Sequence, residues 1–123
     1  MRIQGIRGDL LQGLLSAASE SHPLEFAAIL REAGGLIDEI DLVAGTISGR
    51  ESALMDINML PLDTHRIGSV HSHPNGSLEP SEADLLFFSF TGRYHLILGY
   101  PYDLHSWRCY TVDGRPYELE VVW

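Results

Sequence analysis

The chain has 123 residues and one cysteine, is 45% hydrophobic and 20% charged, and carries a formal net charge of −9. This length predicts one domain, residues 1–123, and the single cysteine excludes an internal disulfide, which fits a cytoplasmic protein. The acidic balance argues against nucleic acid and against an anionic membrane surface as partners, and no apolar run is long enough for a transmembrane helix.

The first third of the chain predicts a helix followed by a buried strand. Leucine and alanine recur at helical spacing over residues 10–18, Asp9 is a suitable N-cap, and Pro23 requires the helix to end before it. Residues 26–30 are all apolar, which is typical of a strand covered on both faces. Glu25 therefore precedes a buried strand, and a surface carboxylate in a turn is the simplest interpretation of it.

Three more strands are predicted up to the middle of the chain, at residues 36–43, 52–58 and 67–71. The segment 45–50 has the composition of a loop and is a candidate for a flap. In the last of the three strands, Gly68 would allow another backbone to approach closely, because it has no side chain.

The second half of the chain predicts a helix, a strand and a closing hairpin. The helix follows Pro80 and ends near Gly92, a strand covers residues 94–100, and the hairpin strands cover residues 106–112 and 116–122. Together with the first half, this order predicts an α+β domain in which a mixed sheet is flanked by helices. Helical spacing also assigns four apolar side chains of the second helix to the core: Leu85, Leu86, Phe88 and Phe90.

His71 and His73 are separated by one residue at the end of a predicted strand. Side chains repeat every second residue along a strand, so both imidazoles project from the same face. Asp84 adds a carboxylate near the start of the following helix. Histidine and aspartate are zinc ligands, and three protein ligands leave one coordination position open, as in catalytic zinc sites.

The same residues allow a plainer interpretation. Ser81 and Asp84 fit the N-cap and N3 positions of a helix, and such caps are common. The cap does not account for the two histidines, and a turn that caps the helix can also present both side chains to a metal ion. The cap and the metal site are therefore compatible hypotheses. Among the other histidines, His95 lies in a predicted buried strand and is more simply a core residue than a ligand.

The motif formed by His71, His73, Ser81 and Asp84, with Glu25 upstream, resembles the signature of the JAMM (MPN+) zinc metalloprotease family. The resemblance covers most of the chain, and the sequence is most similar to the short stand-alone archaeal-type members. It implies a cytidine-deaminase-like arrangement of the sheet and helices, with a zinc ion bound by His71, His73 and Asp84. It also implies that Glu25 acts as the general base and that Ser81 donates a hydrogen bond to the developing oxyanion.

For function, the resemblance implies a zinc-dependent isopeptidase. Its substrate would be the amide between the Gly-Gly tail of a ubiquitin-like modifier and a lysine, and the tail would add as a strand beside residues 52–60. Two alternatives stay open: a JAMM hydrolase of a small amide or a sulfur-carrier adduct, and a non-catalytic MPN-like scaffold. A cupin-like metal binder fits less well, because a helix follows the histidines where a jelly roll needs a strand. Many members of the family have a glycine where this chain has Ala28.

Overall fold

The computed structural model describes residues 2–41 and 66–123. Within these ranges it confirms the predicted α+β architecture, a mixed sheet with helices packed on it. The predicted flap at residues 45–50 and the predicted strand and tail-binding segment at residues 52–60 lie outside the described residues. In chain order the elements are β1 (Gly5–Arg7), α1 (Gly8–Ser21), β2 (Ala27–Ala33), β3 (Leu36–Asp41), β4 (Arg66–His73), α2 (Glu82–Thr91), β5 (Tyr94–Gly99), β6 (Trp107–Thr111) and β7 (Glu120–Val122).

The described strands form one sheet in the order β6-β5-β4-β2-β3-β1-β7. β4 lies near its centre, antiparallel to β2 on one side and parallel to β5 on the other. Ala27, the first residue of β2, pairs with His71 near the end of β4. Because the two strands are antiparallel, the chain that leads into β2 lies beside the carboxyl end of β4. The sheet therefore brings Glu25 close to His73, although the two residues are far apart in the sequence.

The two described helices pack on opposite faces of this sheet. Leu11 of α1 belongs to a core that includes Val70 of β4, whereas Phe88 of α2 packs with Ile97 of β5 in a second, smaller cluster. Successive residues of a strand point to opposite faces, so His71, which follows Val70, faces α2. In the described ranges no helix is long and apolar enough to cross a membrane.

The start of α1 differs from the prediction. Asp9 is not the N-cap: the helix begins at Gly8 with Arg7 as the N-cap residue, and the Asp9 carboxylate in the first turn pairs with the Arg7 guanidinium at 2.8 Å. The helix starts early because β1 runs directly into it. Gly8 permits this close packing, since a Cβ atom there would lie 2.3 Å from the Trp123 ring. The helix ends before Pro23, as predicted.

The buried face of α2 also differs from the prediction. Leu86 and Phe90 are not core residues: their side chains are 60% and 55% exposed. The helix is turned so that Asp84 faces the sheet, and residues two and six positions further along then lie on the outer face. Phe88 is fully buried and Leu85 is partly buried near it, as predicted. The side chains that this helix buries are Asp84, Phe87, Phe88 and Thr91.

The predicted closing hairpin is wrong beyond its turn. Pro116 does form an antiparallel bridge with Tyr110 of β6, but Glu120 of β7 pairs in parallel with Gly5 of β1 at the other end of the strand order. The four residue-to-residue steps from 116 to 120 span at most about 14 Å, whereas β6 and β1 would lie about 24 Å apart in a flat sheet. The sheet is therefore strongly curled, and β7 pairs at the end of the strand order opposite β6.

Candidate metal centre and catalytic cleft

β4 positions the two histidines of the motif. His71 and His73 lie on the same face of the strand, and their Nε2 atoms are 3.1 Å apart. His71 is fully buried, with its ring against the rings of Phe87 and Phe88, whereas His73 at the strand end is partly exposed. The pair therefore has one buried member and one member that borders solvent.

The N-terminus of α2 positions the carboxylate. Ser81 is the N-cap residue: its Oγ accepts a hydrogen bond from the Asp84 backbone N at 3.1 Å, and its own backbone N donates to Asp84 Oδ2 at 2.8 Å. The same carboxylate lies 3.0 Å from His71 Nε2 through Oδ1 and 3.0 Å from His73 Nε2 through Oδ2. The helix cap and the convergence of the three side chains thus occur together.

A backbone carbonyl orients the more exposed histidine. His73 Nδ1 donates to the Ser77 carbonyl oxygen at 2.8 Å, because a carbonyl can only accept. With the proton on Nδ1, a neutral His73 presents Nε2 as a lone pair, which is the form that binds a metal. The loop that carries this carbonyl is held by Tyr110, whose hydroxyl donates to the Leu78 carbonyl at 2.6 Å.

The charges of the three side chains stabilise one another. Burial opposes ionisation of Asp84, but hydrogen bonds from His71 and His73 outweigh it and hold the pKa of this carboxyl far below its usual range. Burial likewise lowers the pKa of His73, but the Asp84 carboxylate outweighs burial and the net shift of this pKa is upward. The cluster therefore keeps a buried negative charge that positive charge must balance, as a cation would.

The donor atoms also fit zinc. The ligand atoms of His71, His73 and Asp84 all lie within 4.8 Å of one another. The two Nε2 atoms are 3.1 Å apart, and each lies 3.0 Å from a different oxygen of the Asp84 carboxylate. Ligand atoms on a tetrahedral zinc ion, with bonds of about 2.0–2.1 Å, are about 3.3 Å apart. The two imidazole nitrogens therefore need to move apart by only a few tenths of an ångström, and the Asp84 carboxylate beside them can supply the third donor atom.

A cleft of about 370 Å³ opens beside this cluster. Glu25 and Ser81 both border it, so the structure brings the five predicted site residues to one place. The Glu25 carboxylate is near enough to His73 that its charge helps to raise the histidine's pKa. The catalytic roles of Glu25 and Ser81 remain predictions. The residues that line the cleft are Glu25, His73, Pro74, Asn75, Ser77, Glu79 and Ser81.

Two polar contacts near the site were not predicted from the sequence. One is the Ser77 carbonyl that orients His73, which no side-chain pattern can indicate because it belongs to the backbone. The other involves Ser72, between the two histidines, whose Oγ accepts a hydrogen bond from the Phe26 backbone N at 2.8 Å. A hydroxyl in a buried strand was a signal for the second contact, since such a group needs a partner.

His95 is the core histidine that the sequence predicted. It is fully buried, its Nε2 donates to the Gly92 carbonyl at 2.8 Å, and its Nδ1 lies 2.8 Å from the Ser69 hydroxyl. Burial is the main cause that lowers the pKa of His95 to about 4, so the ring is neutral at pH 7. Its ring stacks on Phe88 with centroids 4.1 Å apart.

Comparison with known proteins identifies the family. The model of prokaryotic homologs of the JAB domain matches residues 8–110. A protein of Haloferax volcanii named as a probable metalloprotease is 38% identical over 130 aligned residues, which cover 98% of this chain and 80% of that protein.

Solved structures agree with this match. The crystal structure of a JAB1/MPN domain protein from Archaeoglobus fulgidus is 39% identical, with a TM-score of 0.77 over 98% of this chain and 100% of that one. A structure described as JAMM, a metalloprotease-like zinc site in the proteasome and signalosome, is also 39% identical, with a TM-score of 0.79 over 98% and 99% of the chains. The chain therefore belongs to the family of prokaryotic homologs of the JAB domain, which confirms the predicted JAMM (MPN+) family.

Proposed function

We propose that this chain is a zinc-dependent isopeptidase that cleaves the amide between the Gly-Gly tail of a ubiquitin-like modifier and a lysine. The observation that carries the proposal is the convergence of His71, His73 and Asp84 beside a cleft bordered by Glu25 and Ser81. The metalloprotease name of the Haloferax relative and the zinc site described for the JAMM structure support the hydrolase class and the metal. The choice of substrate follows the family resemblance.

His71, His73 and Asp84 would hold the zinc ion, and Asp84 would neutralise part of its charge. A zinc ion with three protein ligands supplies Lewis acidity and activates water at neutral pH. The ligands are prepared for it, because the Ser77 carbonyl fixes the His73 ring and the backbone N of Ser81 fixes the Asp84 carboxylate.

Glu25 would move the proton. Its carboxylate borders the cleft beside His73, where it can accept a proton from the attacking water and return it to the amine that leaves. A carboxylate suits both steps, since it is an acceptor when ionised and a donor once protonated. The lysine product thus departs with the proton that Glu25 received.

Ser81 would stabilise the oxyanion. Its Oγ accepts the hydrogen bond from the Asp84 backbone N, and an accepting hydroxyl still has its own proton to donate. Ser81 borders the cleft, so this proton can be directed to the amide oxygen as negative charge develops there. Capping the helix and assisting the reaction therefore place no conflicting demand on this residue.

The terminal glycines of the modifier suit a reacting centre in the cleft that Glu25 and Ser81 border. A tail without side chains can approach the reacting centre closely, and backbone pairing supplies affinity with little demand on side chains. We therefore expect recognition to depend on the Gly-Gly end and to tolerate different lysine-bearing partners.

Two sets of conjugates test this proposal with the zinc-loaded protein. One set varies the lysine-bearing protein with the tail fixed, and the other replaces the terminal glycines by alanine or valine with the partner fixed. We expect similar rates within the first set and a large loss in the second. Strong selection in the first set with indifference in the second would contradict the proposed recognition.

Two controls separate the alternatives. A chelator should abolish cleavage of the parent conjugate, and the Glu25→Gln variant should lower its rate by about 10²–10⁴. Binding of the conjugate without cleavage would favour the non-catalytic scaffold. Hydrolysis of a small amide or a sulfur-carrier adduct, with no action on conjugates, would favour the small-substrate hydrolase.

A further inference from the structure

Ser72 lies between the two histidines but faces away from them. His71 and His73 point toward α2, and alternation along β4 directs the Ser72 side chain to the opposite face of the sheet. Ser72 is fully buried. Its position excludes contact with a metal ion held by the histidines, so its buried hydroxyl needs a different hydrogen-bond partner.

The hydroxyl of Ser72 meets the chain that leads into β2. The Ser72 backbone N donates to the Phe26 carbonyl at 2.9 Å, and the Phe26 backbone N donates to Ser72 Oγ at 2.8 Å. In a regular hydrogen-bonded antiparallel pair, the second bond would run to the Ser72 carbonyl. Here the side chain replaces that carbonyl, at the position just beyond the last regular pair, Ala27 with His71.

This contact fixes the peptide unit that Glu25 and Phe26 share. The Phe26 N–H lies in the same rigid plane as the Glu25 carbonyl and Glu25 Cα, because the peptide bond is planar. A hydrogen bond to that N–H therefore restrains the backbone from which the Glu25 side chain projects. We propose that Ser72 is a positioning residue that holds Glu25 in place for proton transfer; this inference rests on the proposed function.

Loss of the hydroxyl would release that restraint. In a Ser72→Ala protein, the buried Phe26 N–H loses its partner and must reorient toward water or another acceptor. Any such rotation moves Glu25 relative to His73. A displacement of about 1 Å in a catalytic group can cost on the order of a hundredfold in rate. The zinc ligands belong to β4 and α2 and keep their own contacts, so metal binding is unaffected.

A second buried serine on the same strand provides a matched control. Ser69 is also fully buried, and its hydroxyl contacts His95 Nδ1 rather than the chain near Glu25. Ser69→Ala removes a buried hydrogen bond from β4 just as Ser72→Ala does. A purely structural effect would lower stability in both variants, whereas positioning of Glu25 is affected in Ser72→Ala alone.

The test is a double-mutant cycle on the zinc-loaded full chain. The probe is a ubiquitin-like modifier joined through its C-terminal Gly-Gly to the lysine of a fluorescent peptide. We expect Ser72→Ala to lower kcat by about tenfold to a hundredfold, with KM and zinc content unchanged. In a Glu25→Gln background the same change should have almost no further effect, because residues that act through one another are not additive. Ser69→Ala should leave kcat unchanged.

A second readout does not depend on turnover. Amide hydrogen exchange at Phe26 should accelerate in Ser72→Ala and not in Ser69→Ala, while exchange elsewhere in β2 stays slow. If Ser72→Ala fails to fold, the pair Ser72→Thr and Ser72→Val replaces it, since the two side chains have the same shape and only threonine keeps the hydroxyl. Higher kcat in Ser72→Thr than in Ser72→Val supports the proposal, and equal kcat overturns it.

The outcomes distinguish this inference from the proposed function. If the wild-type chain does not cleave the probe, or if Glu25→Gln retains full turnover, the proposed function and the role of Ser72 are both wrong. If both requirements hold but Ser72→Ala turns over at the rate of Ser69→Ala, only the role of Ser72 is wrong. A loss of kcat from Ser72→Ala that is equally large in the wild-type and Glu25→Gln backgrounds also overturns that role.

Discussion

Two histidine environments lie side by side on the same face of the sheet and differ in what surrounds them. His71 on β4 and His95 on β5 are both fully buried, and the ring of Phe88 lies against both. The nitrogens of His95 face a carbonyl and a hydroxyl, which are neutral groups. His71 Nε2 instead faces the Asp84 carboxylate and a second imidazole, that of His73.

Burial alone therefore does not make a metal ligand. Around His95, burial is the main cause that lowers the pKa to about 4, and the neutral partners engage both ring nitrogens. Around His71, one buried carboxylate makes the difference: its negative charge requires a positive partner, such as a metal ion. The capping box of α2 positions that carboxylate beside His71. A common local motif therefore accounts for the difference between the candidate metal centre at His71 and the core packing at His95.

The largest expected effect is a difference in zinc binding and turnover between the His71→Ala and His95→Ala variants. His71→Ala removes a zinc ligand and should abolish both zinc binding and turnover, because the ion then has two protein ligands. His95→Ala should lower stability and retain about one zinc per chain. Metal analysis of the purified variants checks this prediction. Equal zinc content in the two proteins would show that the comparison does not identify the metal centre.

The next largest effect is expected for Glu25→Gln, which tests whether Glu25 acts as a general base or as a metal ligand. Glu25→Gln should keep the fold and the zinc content, since Glu25 is outside the ligand cluster. It should lower kcat by about 10²–10⁴, the usual contribution of a general base. Zinc analysis and steady-state kinetics on the same preparation provide the measurement. Loss of zinc together with activity would make Glu25 a metal ligand instead.

Ser81→Ala is expected to have a smaller effect on turnover. It should keep zinc and lower kcat by roughly 10²–10³, as loss of an oxyanion donor does. The lost cap should also reduce the free energy of unfolding by about 1 kcal/mol. Ser77→Ala is the matched control, because Ser77 borders the same cleft and its carbonyl to His73 survives the substitution. A stability loss with unchanged kcat would leave Ser81 with the capping role alone.

The parts of the site that the sequence predicts are those set by local geometry. The spacing of His71 and His73 determines their common face, and the spacing of Ser81 and Asp84 determines the cap. Gly68 likewise allows close packing, as predicted, since a Cβ atom there would lie 1.5 Å from the Tyr94 carbonyl oxygen. In each case the relevant neighbours follow from regular strand or helix periodicity.

The parts that the sequence does not predict depend on distant segments. The turn near Gly114 forms as its composition indicates, with a positive φ of 82°, yet the strand after it pairs with β1 rather than with β6. The apolar spacing of α2 is compatible with several buried faces, and the contact of Asp84 with the histidines selects one. Glu25 reaches the site through the pairing of β2 with β4, which spacing cannot indicate; its assignment came from the family resemblance.

The smallest effect on turnover is expected at His95, where the prediction concerns stability and pH. Its pKa is about 4 in the folded chain, because of burial first and the nearby charge of His71, against about 6.5 when unfolded. Between these values the unfolded chain binds a proton at His95 that the folded chain does not. The contribution of His95 to stability therefore falls as pH decreases from about 6.5 to 4 and is constant above this window. The loss reaches about 3 kcal/mol. Urea denaturation with chelator present should therefore show that the wild-type protein loses this stability relative to His95→Gln over that window. The titrating cluster of His71, His73 and Asp84 is common to both proteins, so its effect cancels in the comparison. Parallel stability curves for the two proteins across this window would show that His95 is not held neutral by its surroundings.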